Sequence, residues 1–350
     1  MVRATANAPE PIATLPPAQP LARLRIPDRA DSTHVGRTVE SSGQVATLAT
    51  VMTVIMIPST FLAMPRWWHA GQNWLTQLPG LVESQCRAWR LEIAGEPWHG
   101  SSALVVPVRR GTEALALRLT PRGDNVASEV AALRFWNGRG TVRLLDADVA
   151  AGASLLERLD GGRSLNDLPL TTAVPVIARM MRRLAVPGPS GVPSTAQIVA
   201  SRAEELEQQW HHHARPFPKT TLTVAAACAD ELRSTDSDLA VNGDLHFEQV
   251  LAGGSEEWLT VDPVLCRGDI EYDLARILWS RLDEMDDRAV HVHFETVLSE
   301  ARLDEARAVA WVIFRSVDYR LWGLEHGLTE DPVRCDRLVR LFLPLRHRTT

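Results

Sequence analysis

Two carboxylates and one amide are spaced along a short stretch of the chain in a pattern that suits phosphoryl transfer. Asp244 lies in GDLHFEQVL (243–251), Gln249 follows it by five positions, and Asp262 comes just after an apolar run in WLTVDPVLCRGDIEYDLA (258–275). In such a site one carboxylate orients an attacking hydroxyl and accepts its proton, while a second carboxylate and an amide oxygen hold Mg²⁺ against the phosphates. Because magnesium keeps several waters, two side chains and a nucleotide suffice as its ligands. The pattern therefore predicts a magnesium-dependent phosphoryl-transfer site.

The elements that must position this site begin with a small sheet in the first half of the chain. Four strand-like runs are predicted there: 103–110, 113–120, 141–148 and 153–159. The first two runs are joined by Gly111-Thr112, which is a hairpin signal. Residues 125–136 have the apolar spacing of an amphipathic helix, and two short helices are predicted between 67 and 89 from apolar residues at three-to-four spacing.

The second half of the chain is predicted to be mainly helical. Helices are predicted at 171–185, 196–214, 220–233, 270–286, 288–300, 303–327 and 332–343. The expected organisation is therefore an α+β chain of two lobes, with a sheet lobe at 56–159 and a larger helical lobe at 160–350. Glu157 lies where the two lobes meet, and a cleft at such a junction suits a ligand. This position makes Glu157 a candidate for binding the cofactor.

The N-terminal residues 1–55 carry no pattern of a folded element. They are rich in Ala, Pro, Thr and Ser, so we expect either a disordered extension or a start codon placed too early, since Met52 and Met56 offer later starts. The charge-free stretch 45–64 is long enough to span a bilayer. Its four Thr, one Ser and one Pro, and the absence of a basic flank before it, argue against stable membrane association.

Composition narrows the class of protein further. The chain has 350 residues and a formal net charge of −6. This charge gives no general electrostatic attraction for nucleic acid, so binding of nucleic acid would need a local basic patch. Its four cysteines lack CxxC spacing and are expected to be reduced thiols in a cytoplasmic protein. Lys219 is the only lysine, so a function that needs an ammonium group must use it or substitute an arginine.

The stretch 243–275 resembles the catalytic segment of aminoglycoside phosphotransferases, which are relatives of protein kinases. Blocks on both sides of it are similar to the streptomycin 6-kinase and hydroxyurea phosphotransferase subfamily. They are IPSTFLAMPRWW (57–68), ALRFWNGRGTVRLLDAD (132–148), GASLLERLDGGRSL (152–165) and SVDYRLWGLEHGLTEDPVRC (316–335). The resemblance runs from about residue 57 to about 345 and implies a protein-kinase-like two-lobed fold.

The resemblance also implies an activity and a role for each site residue. The expected reaction is ATP- and Mg²⁺-dependent phosphorylation of a hydroxyl on a small polar molecule, with a streptomycin-like aminoglycoside as the acceptor. By position, Asp244 would be the catalytic base, and Asp262 with Gln249 would bind the metal. Arg118 falls where the family places its strand lysine, and Glu129 would be the acidic partner of that cation.

Other residues receive supporting roles from the same resemblance. His246 would brace the catalytic loop, while Asp269 and Asp273 would anchor it to the helix that begins near Ile270. The segment 95–105, GEPWHGSSALV, would cover the phosphates, although its glycines are sparse for such a loop.

Three departures from the family pattern keep alternatives open. Asn242 replaces the usual histidine before Gly-Asp, Gln249 replaces the usual metal-binding Asn, and Arg118 replaces Lys. The glutamine is compatible with a related sugar or aminosugar kinase. The arginine keeps the charge and grips phosphate with two donors, yet its geometry differs from that of lysine. A catalytically weak nucleotide-binding pseudoenzyme is therefore the alternative from another class.

Several other features are expected to be structural. Consecutive side chains at His211, His212 and His213 point about 100° apart on a helix, so we expect a solvated helix end and no shared metal ion. Trp311 and neighbouring residues of the helix 303–327 are expected to be core rather than acceptor pocket. The acidic run LDEMDD (282–287) either attracts a cationic acceptor or forms a solvated turn.

Overall fold

The computed structural model describes most of the chain after residue 54. The described ranges are 55–64, 67, 71–100, 102–122, 126–235 and 237–349, with side chains described to 346. The predictions made for residues 1–54, and thus for half of the stretch 45–64, lie outside the described residues. No helix within those ranges is long and apolar enough to cross a membrane.

The N-terminal lobe is an antiparallel sheet covered by helices. Its elements are α1 (Ser59–Leu62), α2 (Gln72–Trp89), β1 (Glu92–Ile93), β2 (Trp98–His99), β3 (Leu104–Arg110), β4 (Glu113–Leu119), α3 (Val126–Trp136), β5 (Leu144–Asp148) and β6 (Ala153–Glu157). The strand order is β1-β3-β4-β6-β5, and β2 pairs with β3. Gly111 has φ +61°, which supplies the tight turn between β3 and β4. The predicted hairpin is therefore confirmed.

The prediction of two short helices between 67 and 89 is wrong, because one helix, α2, covers most of this region. It has 18 residues and contains Pro79. Proline removes one helical hydrogen bond, but Leu75, Leu78 and Val82 continue a single buried stripe across it. The stripe packs in one hydrophobic cluster with Leu104 and other sheet residues. Burial of this face therefore outweighs the broken hydrogen bond.

The C-terminal lobe is mainly helical, as expected. Its helices are α4 (Leu170–Leu184), α5 (Thr195–His212), α6 (Lys219–Leu232), α7 (Leu274–Ser280), α8 (Asp287–Ala301), α9 (Glu305–Glu325) and α10 (Asp331–Thr349). They enclose a large apolar core that includes Trp279, Trp311 and Phe342. The predicted helix 270–286 is shorter than expected, because 3-10 turns over Ile270–Asp273 and Leu282–Glu284 flank α7. Arg281 ends the regular helix with φ −130°, and its Nη1 donates to the carbonyl of Leu168 at 2.8 Å.

Short strands within the helical lobe flank the residues predicted to do chemistry. They are β7 (Asp160–Ser164), β8 (Ala240–Val241), β9 (Val250–Ala252), β10 (Trp258–Thr260) and β11 (Cys266–Arg267). The antiparallel pairs β8–β11 and β9–β10 align the segment before residue 252 with the segment after 258. The N–H of Val261 donates to the carbonyl of Gln249 at 2.8 Å. The pairing therefore places the loop of Asp244 beside the turn of Asp262.

The hairpin β9–β10 also joins the two lobes. Val142 of the N-terminal lobe donates its N–H to the carbonyl of Thr260, and the N–H of Thr260 donates to the carbonyl of Gly140, both at 2.9 Å. Trp136 of α3 reaches the helical core, where its Nε1 donates to the carbonyl of Leu184 at 3.0 Å. The segment that precedes Asp262 is thus bonded directly to the small lobe.

Candidate active site

Asp244 lies buried between two donors in the loop after β8. Arg276 Nε donates to its Oδ1 at 2.9 Å, and Gln249 Nε2 donates to its Oδ2 at 3.2 Å. Burial raises the pKa of Asp244 above its usual range, while the Arg276 guanidinium opposes that rise. The carboxylate is therefore held in one orientation, and the buried arginine beside it favours its ionised form.

The loop that carries Asp244 depends on Gly243. This glycine has φ +82°, and a Cβ there would lie 2.9 Å from the carbonyl oxygen of Val264. The N–H of Asp244 donates to Oδ1 of Asn242 at 3.2 Å, so the Asn242 side chain helps to hold the loop. Asp273 accepts from the N–H of Gly243 at 3.3 Å, which agrees with the anchoring position expected for it.

Gln249 presents an amide oxygen that has no partner. Its Oε1 is buried and accepts no hydrogen bond from any residue that the structure describes, while its Nε2 is engaged by Asp244. A buried carbonyl-type oxygen without a partner is costly. A bound Mg²⁺ ion would give this oxygen a partner, because Mg²⁺ prefers oxygen ligands.

Asp262 lies in the turn after β10 with its carboxylate 41% exposed. Its φ of +57° is in the left-handed region, which Asp tolerates better than most residues and which is often found at functional sites. Asp262 lies near enough to Asp244 for its charge to raise the pKa of that carboxyl, and its carboxylate with Oε1 of Gln249 gives an all-oxygen donor set. This donor set fits Mg²⁺.

Arg118 on β4 bridges the small lobe to Asp262. Its Nη1 donates to Glu129 of α3 at 2.5 Å and to Oγ1 of Thr120 at 2.8 Å, and its Nη2 donates to Oδ1 of Asp262 at 2.9 Å. Burial raises the pKa of Glu129 to about 7 and outweighs the opposing charge of Arg118. The structure thus brings together the predicted cation, its acidic partner and the predicted metal ligand. Lys219 instead begins α6, where its Nζ lies 3.7 Å from Glu207.

Glu157 at the end of β6 is engaged by backbone and hydroxyl groups. Its Oε1 accepts from the N–H of Arg143 at 2.7 Å, and its Oε2 accepts from the N–H of Ser255 at 3.0 Å. Its carboxylate therefore ties the sheet to the β9–β10 turn. Binding of the cofactor at this position stays a prediction, and it would have to use the backbone rather than the occupied side chain.

The remaining predicted supports occupy buried positions around the loop. Asp269 accepts from Nε1 of Trp311 at 2.8 Å and from Nε of Arg307 at 3.0 Å. Burial raises the pKa of Asp273 to about 7, against the nearby positive charge of Arg315. Burial lowers the pKa of His246 well below its usual value, so this residue is a neutral imidazole within the loop.

Arg276 is the site residue that the sequence analysis missed. It is buried on α7 in LARILWS, where its neighbours are apolar core residues. The signal that was overlooked is a single arginine within a short apolar helix, three positions after Asp273. Such a charge is retained in a core only with a partner, and here the partner is Asp244.

Two other groups have structural roles. In the acidic run, Asp283 pairs with Arg334, Glu284 with Arg281 and Asp287 with Arg337, while Asp286 caps α8. The run is thus a set of ion pairs and a helix cap, so its carboxylates are already engaged and do not form a patch that attracts a cationic acceptor.

On α9, Trp311 is fully buried and Tyr319 stacks on Trp279. Both belong to the core, as expected.

Comparison with known proteins identifies the family of this chain. The family model described as aminoglycoside/hydroxyurea antibiotic resistance kinase matches residues 88–327. The chain belongs to this family of kinases. It is 36% identical over 268 residues to a streptomycin 6-kinase from Streptomyces griseus, covering 74% of this chain and 87% of the relative. It is 37% identical over 273 residues to a hydroxyurea phosphotransferase from Kitasatospora aureofaciens, covering 76% and 78%.

Solved structures share the fold of this kinase family member at low sequence identity. A thermostable mutant of aminoglycoside phosphotransferase APH(4)-Ia matches with a TM-score of 0.53 and 16% identity, covering 74% of this chain and 98% of that one. Choline kinase LicA from Streptococcus pneumoniae matches with a TM-score of 0.52 and 13% identity, covering 76% and 99%. The predicted kinase-like two-lobed α+β fold and the predicted class of small-molecule phosphotransferase are both confirmed.

Proposed function

We propose that this kinase transfers the γ-phosphoryl group of ATP, with Mg²⁺, to a hydroxyl of a streptomycin-like aminoglycoside. The observation that carries the proposal is the contact between Asp244 and Gln249 beside Asp262, in a chain that covers 87% of a streptomycin 6-kinase at 36% identity. A carboxylate held next to an unpartnered oxygen ligand is the arrangement that phosphoryl transfer requires.

Each site residue has a task in the proposed reaction. Asp244 aligns the acceptor hydroxyl and takes its proton, and Arg276 keeps the carboxylate oriented. Asp262 and Gln249 would hold the magnesium ion, which supplies charge neutralisation for the β- and γ-phosphates when bound. Arg118, steadied by Glu129, would give up its contact with Asp262 and donate to phosphate oxygens. Placement and charge compensation thus provide most of the rate.

A smaller acceptor is the second candidate. The 37% identity to a hydroxyurea phosphotransferase over 76% of this chain favours a hydroxyl on a small urea-like molecule. A sugar or aminosugar is a third candidate acceptor, because Gln249 is compatible with a related sugar or aminosugar kinase. The cytoplasmic location also stays a prediction, supported by the four cysteines, which are all free thiols.

The acceptor class is tested by ATP consumption in the presence of streptomycin, hydroxyurea and a panel of aminosugars and maltose-like sugars. We expect streptomycin to stimulate ATP consumption above the acceptor-free rate and to gain the mass of one phosphate. If only hydroxyurea stimulates ATP consumption, the acceptor is a small urea-like molecule rather than an aminoglycoside. If no acceptor stimulates consumption while ATP and Mg²⁺ still raise the melting temperature, the pseudoenzyme alternative is favoured.

The pH dependence of turnover is expected to report the environment of Asp244. Only the ionised carboxylate accepts a proton, so its raised pKa places the acid limb of kcat/KM above the usual aspartate range. The Arg276 charge lowers that pKa, so Arg276→Met should move the acid limb to still higher pH. Arg320→Met is the matched control, because Arg320 is a largely buried arginine that pairs with Asp336 away from the site. A folded Arg276→Met enzyme with an unshifted acid limb would contradict this role.

A further inference from the structure

Two histidines and one glutamate meet where α5 and α9 end. Glu325, the last residue of α9, has its Oε2 3.5 Å from Nε2 of His212 and 3.0 Å from Nε2 of His213. The three ligand-type atoms all lie within 4.8 Å of one another. The group is separate from the kinase site, whose residues lie on β4, α3, α7 and the β8–β11 loops.

The expectation that the consecutive histidines do not converge is wrong for two of the three. Their side chains do leave the helix in different directions, since the rings of His212 and His213 are inclined at 82° with centroids 4.9 Å apart. The carboxylate of Glu325 enters between them from another helix, and one oxygen lies close to both rings. The convergence thus depends on Glu325, which is 112 positions after His213 in the chain.

His213 carries the observation that points to a ligand. Its side chain is only 15% exposed, and its Nε2 is buried without a hydrogen bond from the residues that the structure describes. The nearby Glu325 oxygen is within ion-pair distance but is not aligned for a hydrogen bond. A buried imidazole nitrogen without a proper partner is a costly arrangement in the absence of a further group.

The donor set and its location both suit a transition-metal cation. Two imidazoles with one carboxylate form a ligand set that Zn²⁺ accepts, and the exposed side chains of His212 and Glu325 leave room for a water as the fourth ligand. The site also lies at the C-terminus of α5, where the helix dipole favours positive charge. Magnesium is disfavoured because it prefers oxygen ligands.

We propose that His212, His213 and Glu325 form a Zn²⁺-binding site that fastens the C-terminus of α5 to that of α9. The two helices are already joined by Arg202, whose Nε donates to Oδ1 of Asp318 at 2.9 Å. A metal at their ends would add a further connection near the loop 213–218. Its effect is on stability, through preferential binding to the folded chain, and not on phosphoryl transfer.

The test is zinc binding by the tag-free, chelator-treated full chain, with stoichiometry measured by calorimetry and melting temperature measured with and without ZnCl₂. We expect one zinc ion per chain at this site and a raised melting temperature. His213→Ala and Glu325→Gln should each weaken binding by at least roughly 10–100-fold, the cost of losing an outer partner of a metal ligand, because each removes a ligand itself. His211→Ala is the matched control, since His211 is on the same helix but outside the group, and it should bind zinc like the natural protein.

A second control separates this site from the kinase site. Asp262→Asn should leave the zinc stoichiometry and the melting shift unchanged, because Asp262 belongs to the proposed magnesium site. The proposal is overturned if the natural protein takes up no zinc, or if His211→Ala loses binding as strongly as His213→Ala. It is also overturned if Asp262→Asn alone abolishes uptake, because the ion would then lie in the cleft between the lobes.

Discussion

Asp244→Asn is expected to lower kcat by about 10²–10⁴-fold, the range for loss of a general base, while ATP still binds. Asparagine preserves the shape of the side chain but cannot accept the acceptor's proton. Its amide nitrogen must also face either Arg276 or Gln249, both of which donate to the natural carboxylate. The measurement is kcat with the acceptor found by the screen, together with the melting shift caused by ATP and Mg²⁺.

Asp318→Asn is the matched control for this substitution. Asp318 is a largely buried aspartate that is also paired with an arginine, Arg202, but it lies on α9 outside the cluster around Asp244. A comparable fall in kcat for Asp318→Asn would show that general packing, rather than the base, was measured. Full activity of a correctly folded Asp244→Asn enzyme would remove Asp244 from the mechanism.

Arg118→Met is expected to have the second-largest effect, on both activity and stability. It removes the cation that bonds Glu129 and Asp262 at once, so kcat/KM should fall by about 10²–10³-fold, as for loss of one charge-stabilising donor. Breaking a buried ion pair also costs about 3–5 kcal/mol of folding free energy, because the other charge is left without its partner. Chemical denaturation and steady-state kinetics measure the two effects.

The stability loss should depend on pH through Glu129. Burial already raises its pKa to about 7 in the natural protein, and the Arg118 charge lowers it. Without that charge the pKa rises further, so Glu129 is neutral at mildly acidic pH and charged only at alkaline pH. The destabilisation by Arg118→Met should therefore be smaller at pH 6 than at pH 8.5. An equal loss at both values would show that Glu129 is not the residue left unpaired.

Arg118→Lys is the charge-preserving comparison. A single ammonium cannot reproduce the fork that reaches Glu129, Thr120 and Asp262 together. We therefore expect activity between that of Arg118→Met and that of the natural protein. Activity well above the natural level would favour the pseudoenzyme alternative, because the family's usual lysine would then have restored a lost function.

The parts of the structure that sequence predicted well are those determined by local pattern. The β3–β4 hairpin follows from two apolar runs around Gly111, and the loops that carry the candidate site residues follow from closely spaced polar residues between short strands. Asp244, Gln249 and Asp262 are near one another in the chain, so few elements are needed to assemble them.

The parts that sequence did not predict depend on distant contacts. The continuity of α2 through Pro79 is determined by the sheet against which it packs. The contact of Arg276 with Asp244 needs the orientation of α7, and the side-chain bonds of Glu157 need Ser255 from the other lobe. The histidine group likewise exists only because α9 ends beside α5. In each case the deciding partner lies outside the local pattern.

The hydrogen bonds between Thr260 and the segment 140–142 have a mechanical consequence. Thr260 is two residues before Asp262, and Asp262 is itself bonded to Arg118 of the sheet. A tilt of the sheet relative to the helical lobe would therefore move the Asp262 carboxylate with it. The distance between Asp262 and Gln249, the two proposed metal ligands, would thus depend on the angle between the two lobes.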